Sequence, residues 1–374
     1  PGSRFLSTVT DSALFRFISY YQGILLAVDS IRAMGANVTL HVFDVGQDLA
    51  QVSGVINSED FQKMDLIIGP FFRRPLDVVA AWGRRYGIPV VSPLLADRNQ
   101  LEGFPNLFNM VPSLEAQMTR MAGYIASSFG DARLILVHNN QPGALPVINV
   151  FRESLIRSMD ESHNAGRDLQ SAFGRLFPVR RETTDSLEPV PNVLHEVVYN
   201  QAGFQGLLEK MDPGSRNVIV AFIGGEAFLS AYARELSSIR HEYDIWLFGI
   251  PEWTTYISID TDRLQQLNLH VFDPDYVDYT DKDIRNLVYK FRQSFNNEPD
   301  ADAVRAVRTG MFFIQAMLQC GRELTDCMDE LQSTARENMI DLIKPLGKPH
   351  GWENQHTHIL RLQNFRQVDV LRGQ

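Results

Sequence analysis

DLIIGPFFRRPLDVVAAWGRRYGIPVVSP, residues 65–93, followed by NLFNMVPS at 106–113, is the stretch whose reading decides the fold. Asp65–Gly69 and Pro89–Val91 are short Leu/Ile/Val runs, each cut off by Gly-Pro or Ser-Pro. Between them, Pro75–Tyr86 carries Leu76, Val79, Ala80 and Trp82 at helical spacing. Apolar strand, turn, helix, apolar strand is a βαβ unit, and strands apolar on both faces belong in a covered parallel sheet. In open sheets of this kind ligands sit at the carboxyl ends of the strands, which is where these two Pro-terminated turns fall. The block therefore predicts one wall of a cleft.

Working outward, Asp11 caps a predicted helix reaching about Met34, and Val38–Val45 alternates as a strand. A helical pattern follows at Leu49–Ile56. A parallel α/β domain normally opens on a strand, and Arg4–Thr10 is the segment that could supply it. Beyond Pro112 the alternation restarts with a helix from Ser113 to Phe129, a strand at Arg133–His138 and a helix at Leu145–Met159. Residues 160–192 are polar with weak periodicity and read as an excursion or mobile loop. Strands are predicted at Val193–Val198, Asn217–Ile223, Asp244–Phe248 and Leu269–Phe272, with helices at Phe204–Met211 and Glu226–Ile239. Helices at Asp281–Phe295 and Asp302–Cys320 and a hairpin pairing His358–Leu362 with Gln367–Leu371 close the pattern.

Of the 374 residues, 44% are hydrophobic and 21% charged, enough for two cores. The net charge of -10 disfavours nucleic acid or an anionic membrane as the main partner. No apolar run approaches 18 residues, and Pro1-Gly2-Ser3 reads as a cloning scar, so any native leader would be missing. Cys320 and Cys327 are the only cysteines. On one unbroken helix they would stand roughly 10 Å apart, too far to bridge, but Gly321 offers a break, so a disulfide and two inert thiols both remain open.

With both halves in view, the chain resembles the type I periplasmic-binding-protein family, the leucine-binding-like branch that also supplies receptor ligand-binding domains. The segments that carry the resemblance are YYQGILLAVDSIRAMG (20–35), the IIGP turn, GIPVVSP, NLFNMVPS, FIGGEAFL (222–229), FGIPEW (248–253) and FNNEPDADAV (295–304). The likeness is greatest to bacterial envelope proteins in which LysM peptidoglycan-binding repeats precede this domain. It implies an α/β fold of two Rossmann-like lobes with parallel sheets joined by three crossings, a Venus flytrap with its ligand in the cleft. The expected lobes are residues 4–112 plus 274–322 and residues 113–273 plus 323–374.

In amino-acid-binding members, the turns after the third and fourth strands hold the ligand carboxylate with small hydroxyl residues and a helix N-terminus. Here those turns read Phe71-Phe72-Arg73-Arg74-Pro75 and Ser92-Pro93-Leu94-Leu95-Ala96, so the hydroxyl pair is missing. Two arginines beside a helix N-terminus could bind a carboxylate or phosphate bidentately, or simply be solvated rim residues. On the other lobe, Glu252 matches the position that faces a ligand ammonium, with Trp253 beside it to stack a ring or to pack in the core. Gly225 and Glu226 form a second such turn, and Asn139 and Gln141 are polar residues at the cleft edge. Tyr276, in the acidic aromatic segment DPDYVDYTD, would line the cleft floor or stiffen a hinge. The family's usual Tyr-Asp at the start of the long helix is replaced around Val304-Arg305-Ala306.

His356 and His358 share one face of a predicted strand with His350 near, which leaves a Zn²⁺ site conceivable, but exposed strand histidines are the simpler reading. No G-x-S-x-G, P-loop, H-E-x-x-H or G-x-G-x-x-G occurs. The sequence thus points to a non-enzymatic, cofactor-free solute-binding protein of the periplasm or cell envelope. Its implied partners are a small amino-acid-like or anionic ligand, a membrane permease or envelope protein, and peptidoglycan through an upstream region, with no nucleic acid. The alternative is an envelope scaffold or regulator with a degenerate cleft, like the lipoprotein activators of peptidoglycan synthases that share the fold.

Overall fold

The computed structural model describes residues 13–176, 194–345 and 351–371. The strands, in chain order, are β1 (Ile67–Ile68), β2 (Val90–Ser92), β3 (Leu107–Asn109), β4 (Arg133–His138), β5 (His195–Val198) and β6 (Arg216–Phe222). They continue with β7 (Asp244–Gly249), β8 (His270–Asp273), β9 (Leu342–Ile343), β10 (Trp352–Asn354), β11 (His358–Gln363) and β12 (Arg366–Asp369). They form two sheets, ordered β1-β2-β3-β10-β9 and β12-β11-β8-β7-β6-β4-β5. In the first, all neighbours are parallel except β10 and β9. In the second, β5 to β8 with β4 are parallel, while β11 runs antiparallel to β8 and to β12. Two parallel-dominated sheets with flanking helices are the type I periplasmic-binding fold.

The chain divides into two compact units, Pro1–Ser113 with Pro274–His356, and Leu114–Asp273 with Thr357–Gln374. The changes of unit come after Ser113, after Asp273 and after His356. The last lies beyond the expected boundary at 322/323, because Trp352 and Glu353 pair with Phe108 and Asn109 and so bind this segment into the first sheet.

In the first unit, the helix Arg73–Tyr86 buries Leu76, Val79 and Ala80 and stops at Gly87, whose φ of 67° is the left-handed conformation glycine adopts without strain. The helices Ala13–Ala33 and Ala301–Cys320 approach closely at small residues. A Cβ on Gly310 would stand 2.6 Å from that of Ala27, so any side chain there forces them apart. Gly321 ends the second helix, and Cys320 and Cys327 are joined as a disulfide across the turn, with Cα atoms 6.1 Å apart. Val38–Val45 enters no ladder among the described residues. Val38 and Leu40 pack on one cluster and Phe43 and Val45 on another, the alternation of an extended segment covered on both faces.

In the second unit, β4, β6 and β7 form a long ladder over a core that includes Leu134, Leu136, Val218, Val220, Phe151 and Phe248. The helix that opens at Leu145 continues to Leu176, so residues 160–176 of the expected excursion are helical. Residues 177–193 lie outside the described residues, as do Arg4–Thr10 and His350. Within Tyr199–Leu208 the backbone breaks at Gly203, with a φ of 59°, so the predicted helix starts at Phe204 after that break and ends at Leu208 rather than Met211. The predicted C-terminal hairpin is present as β11 and β12.

Candidate functional site

In the first unit, the Gly69-Pro70 turn leads β1 into the helix Arg73–Tyr86, and it places the four aromatic and basic candidates unequally. Phe71 stacks on Phe17 at 4.6 Å and meets Tyr20 edge-on at 5.6 Å, while Phe72 meets Phe17 edge-on at 5.4 Å. Both rings are therefore engaged with the Ala13–Ala33 helix. Arg73 pairs with Asp97 at 2.5 Å, and Arg74 is exposed at the helix start. Leu94 packs against the cluster around Tyr20 and Ile24.

Ser92 is fully buried, and its register partner across the ladder is Asn109, whose own partner is Glu353. Three neighbouring strands thus end on a buried polar row. Glu353 accepts from the Ser113 N–H at 3.1 Å, from Arg98 at 2.9 Å and from Gln355 at 2.9 Å. Asn109 donates to the Asp97 carbonyl at 3.0 Å. Burying a carboxylate without such donors would be costly, so this row holds the strand ends together.

The first unit also contains a pocket, open to solvent. Met110, Pro112, Tyr276 and Val277 form one side, and Val304, Arg305, Arg308 and Thr309 of the long helix another. Asn338, Met339, Asn354 and His356 complete it. Met339 holds a φ of 55°, a strained conformation for a residue with a side chain. Arg305 is held in this pocket by two carboxylates: it pairs with Asp275 and donates to Asp302 at 2.7 Å. Asp302 in turn accepts from Arg16 at 2.6 and 3.2 Å, a contact that raises the Arg16 pKa. Beneath them Tyr20 is fully buried, and desolvation pushes its phenol pKa up, opposed by the Thr309 hydroxyl.

Of the expected site residues, this pocket gathers only Tyr276. Arg305, Arg308, Thr309, Asn354 and His356 were not among them. The available signal was the Asp302–Arg305 spacing of i,i+3 on a helix.

In the second unit, the candidates stand at the carboxyl ends of β4, β6 and β7. His138, the last residue of β4, is buried and contacts Glu196 at 2.6 Å, and the Asn140 N–H donates to its Nδ1 at 2.9 Å. Asn140 has a φ of 53°, so this bond shapes the turn that carries Asn139, half-buried, and Gln141, exposed. Gly225 has a φ of 102° and donates its N–H to the Tyr256 hydroxyl at 3.0 Å. Glu226 is committed to Ser258, accepting from its hydroxyl at 2.6 Å and its N–H at 3.0 Å, and these bonds lower its pKa. Glu252 is exposed in the turn after β7.

Trp253 does not stand ready to stack a ligand in the cleft, as one of its two readings expected. It is fully buried, its indole N–H donates to the Ile223 carbonyl at 2.9 Å, and its ring lies against Gly249, where any Cβ would collide with it. The histidine expectation is also corrected. His358 is buried in β11 and pairs with Asp369 at 2.6 Å, and His356 precedes the strand and is half-buried. Among the described residues, no group of three or more His, Cys, Asp or Glu could hold a metal. None of the described helices is long and apolar enough to cross a membrane.

Comparison with curated proteins returns no match. Residues 7–157 match the family model described as periplasmic binding protein. Among solved structures, a putative branched-chain amino acid ABC transporter from Rhodospirillum rubrum aligns with a TM-score of 0.64 at 12% identity, covering 95% of each chain. An ABC transporter substrate-binding protein from Desulfitobacterium hafniense, in complex with Leu, aligns with a TM-score of 0.51 at 12% identity, covering 94% of this chain and 95% of that one. Full-length LpoA from Haemophilus influenzae aligns with a TM-score of 0.52 at 12% identity, covering 94% of this chain and 55% of that one. At these identities the likeness establishes the fold alone: two α/β units of the type I periplasmic-binding architecture.

Proposed function

We propose that this chain is an exported, non-enzymatic binding protein for a small solute of the amino-acid-like or small-anion class. The observation that carries the reading is the first unit's pocket, where guanidinium, phenol, amide and imidazole groups share a lining with aliphatic side chains. Here polar groups, the Asp275 carboxylate among them, make up half of the lining, and convergent polar groups are what orient a small ligand. The Leu complex of the Desulfitobacterium hafniense protein supports the ligand class. The Cys320–Cys327 disulfide supports export, because such bonds persist in oxidising compartments. Delivery to a membrane permease, in the periplasm or at the cell envelope, is the role that fits.

Thermal-shift titration with amino acids, small carboxylates, sugars and peptidoglycan fragments tests this, since a ligand that binds only the native state raises Tm by mass action. One responding class, with the response lost in Arg308→Gln, is the expected result. A flat panel at millimolar concentrations overturns it.

A second reading has its own observation. The charged candidates are already satisfied within the protein: Arg73 by Asp97, Arg305 by Asp275 and Asp302, and Glu226 by Ser258. Such pairing, together with the likeness to LpoA, supports an envelope scaffold or regulator whose site no longer takes a solute. A flat thermal panel combined with specific capture of an envelope protein is the outcome that selects it.

A further inference from the structure

The second unit contains its own pocket, open to solvent, and its chemistry is unlike that of the first. It lies between the β8–β11–β12 end of the sheet and the segment that runs from the turn after β7 to the helix Thr261–Gln266. Its walls are apolar: Trp253, Ile259, Leu264, Val271, Leu360 and Leu362. Five of these, Trp253, Ile259, Leu264, Val271 and Leu360, are nearly or completely buried, so the walls are part of the core rather than a loose surface groove. Thr254, Tyr256, Thr261 and Gln367 supply its polar groups. No Asp, Glu, Lys, Arg or His lines it.

We infer that this pocket is a second small-molecule site, specific for an uncharged ligand with an aromatic or branched aliphatic body and a single hydrogen-bonding group. Three observations lead there. The Trp253 indole N–H is spent on the Ile223 carbonyl, so the residue brings no hydrogen-bonding group to the pocket. The Tyr256 hydroxyl accepts from the Gly225 N–H, a bond that leaves its own proton to donate, so it can satisfy one ligand acceptor. A charged group would enter a wall with no counter-ion and lose its hydration without return. The same lining disfavours a free amino acid, whose two charges would both need partners. The site therefore does not compete with the arginine-lined pocket of the first unit for the same class of molecule.

Methyl-labelled protein titrated with benzyl alcohol, benzoate and benzylamine, followed by NMR, tests the inference on three probes of nearly one size. Saturable shifts of the Ile259, Leu264, Val271 and Leu360 methyls with benzyl alcohol, absent with benzoate and benzylamine, are expected. Gln367→Trp places an indole at the pocket mouth and removes the response. Where that variant does not fold, Thr261→Trp fills the opposite side and reads the same. Equal shifts with the charged probes, no shift with benzyl alcohol, or shifts that survive the blocking variant in folded protein would each overturn the assignment. Because the probes and methyls belong to the second unit, failure here leaves the thermal-shift result for the first unit's pocket unaffected.

Discussion

The two units share an alternation of strand and helix yet are secured by different means. In the first, the strands are two or three residues long, and a short ladder supplies few backbone bonds. Side chains make up the difference: Glu353, fully buried, ties Ser113, Arg98 and Gln355, and Asn354 donates to the Met110 carbonyl at 3.1 Å. In the second, β4, β6 and β7 run six or seven residues, and the buried ionisable groups are imidazoles, His138, His270 and His358, rather than carboxylates. A sheet can thus be held by its ladder or by a polar network at its strand ends, and the two respond to different perturbations. Trp82 and Trp352 report on the first unit and Trp246 and Trp253 on the second, so single-tryptophan variants can follow each separately.

The largest effect is expected from Glu353→Leu. It strands three donors, one of them a guanidinium, and removing one partner of a buried pair costs about 3–5 kcal/mol. In urea, the transition seen by Trp82 should move to lower concentration while that seen by Trp246 stays. A loss under about 1 kcal/mol would mean that the network is ornamental and the contrast between the units wrong.

Acid should act on the other unit. His270 lies in an aromatic cluster, stacked on Phe248 at 4.7 Å, and its Nδ1 donates to the Asn268 carbonyl at 2.7 Å. Burial lowers its pKa from 6.5 to about 4, with a smaller push from nearby Arg361. The unfolded chain therefore takes up a proton near pH 6.5 that the native state refuses until about pH 4. The stabilisation is fully present above pH 6.5 and is lost as pH falls through that window, about 3 kcal/mol in all. His270→Phe should flatten this part of the pH profile read by Trp246; an unchanged profile would remove His270 as its source.

Reduction of Cys320–Cys327 should cost about 2 kcal/mol, confined to the first unit, because the bridge closes only a short loop. A matching shift in both units would show that they unfold together. The smallest effect belongs to Arg73→Ala. Its pair with Asp97 is more than half exposed on the arginine side, so the expected cost is under about 1 kcal/mol by thermal melting.

The same difference explains what the sequence discloses. The second unit's strand Arg133–His138 and helix Glu226–Ile239 are found at their predicted bounds, since long apolar or amphipathic segments announce themselves by period. In the first unit, Leu49–Ile56 is equally legible, but β10 reads Trp-Glu-Asn, and nothing local identifies a buried Glu as a strand residue. Val38–Val45 shows the reverse, alternation without a ladder among the described residues. Tyr276, expected to line a cleft floor or stiffen a hinge, lines the first unit's pocket. The engagement of Arg73 by Asp97 and the burial of Trp253 were not legible, because both depend on partners 24 and 30 residues away.

The discontinuous layout of the units also dictates when each can form. The first sheet needs β10, from residues 352–354, to flank β3, and the second needs β11, from residues 358–363, to cover β8. During synthesis neither sheet is complete until these late strands have left the ribosome. Until then β3 and β8 each keep an open edge, so both units wait on one stretch, residues 352–363.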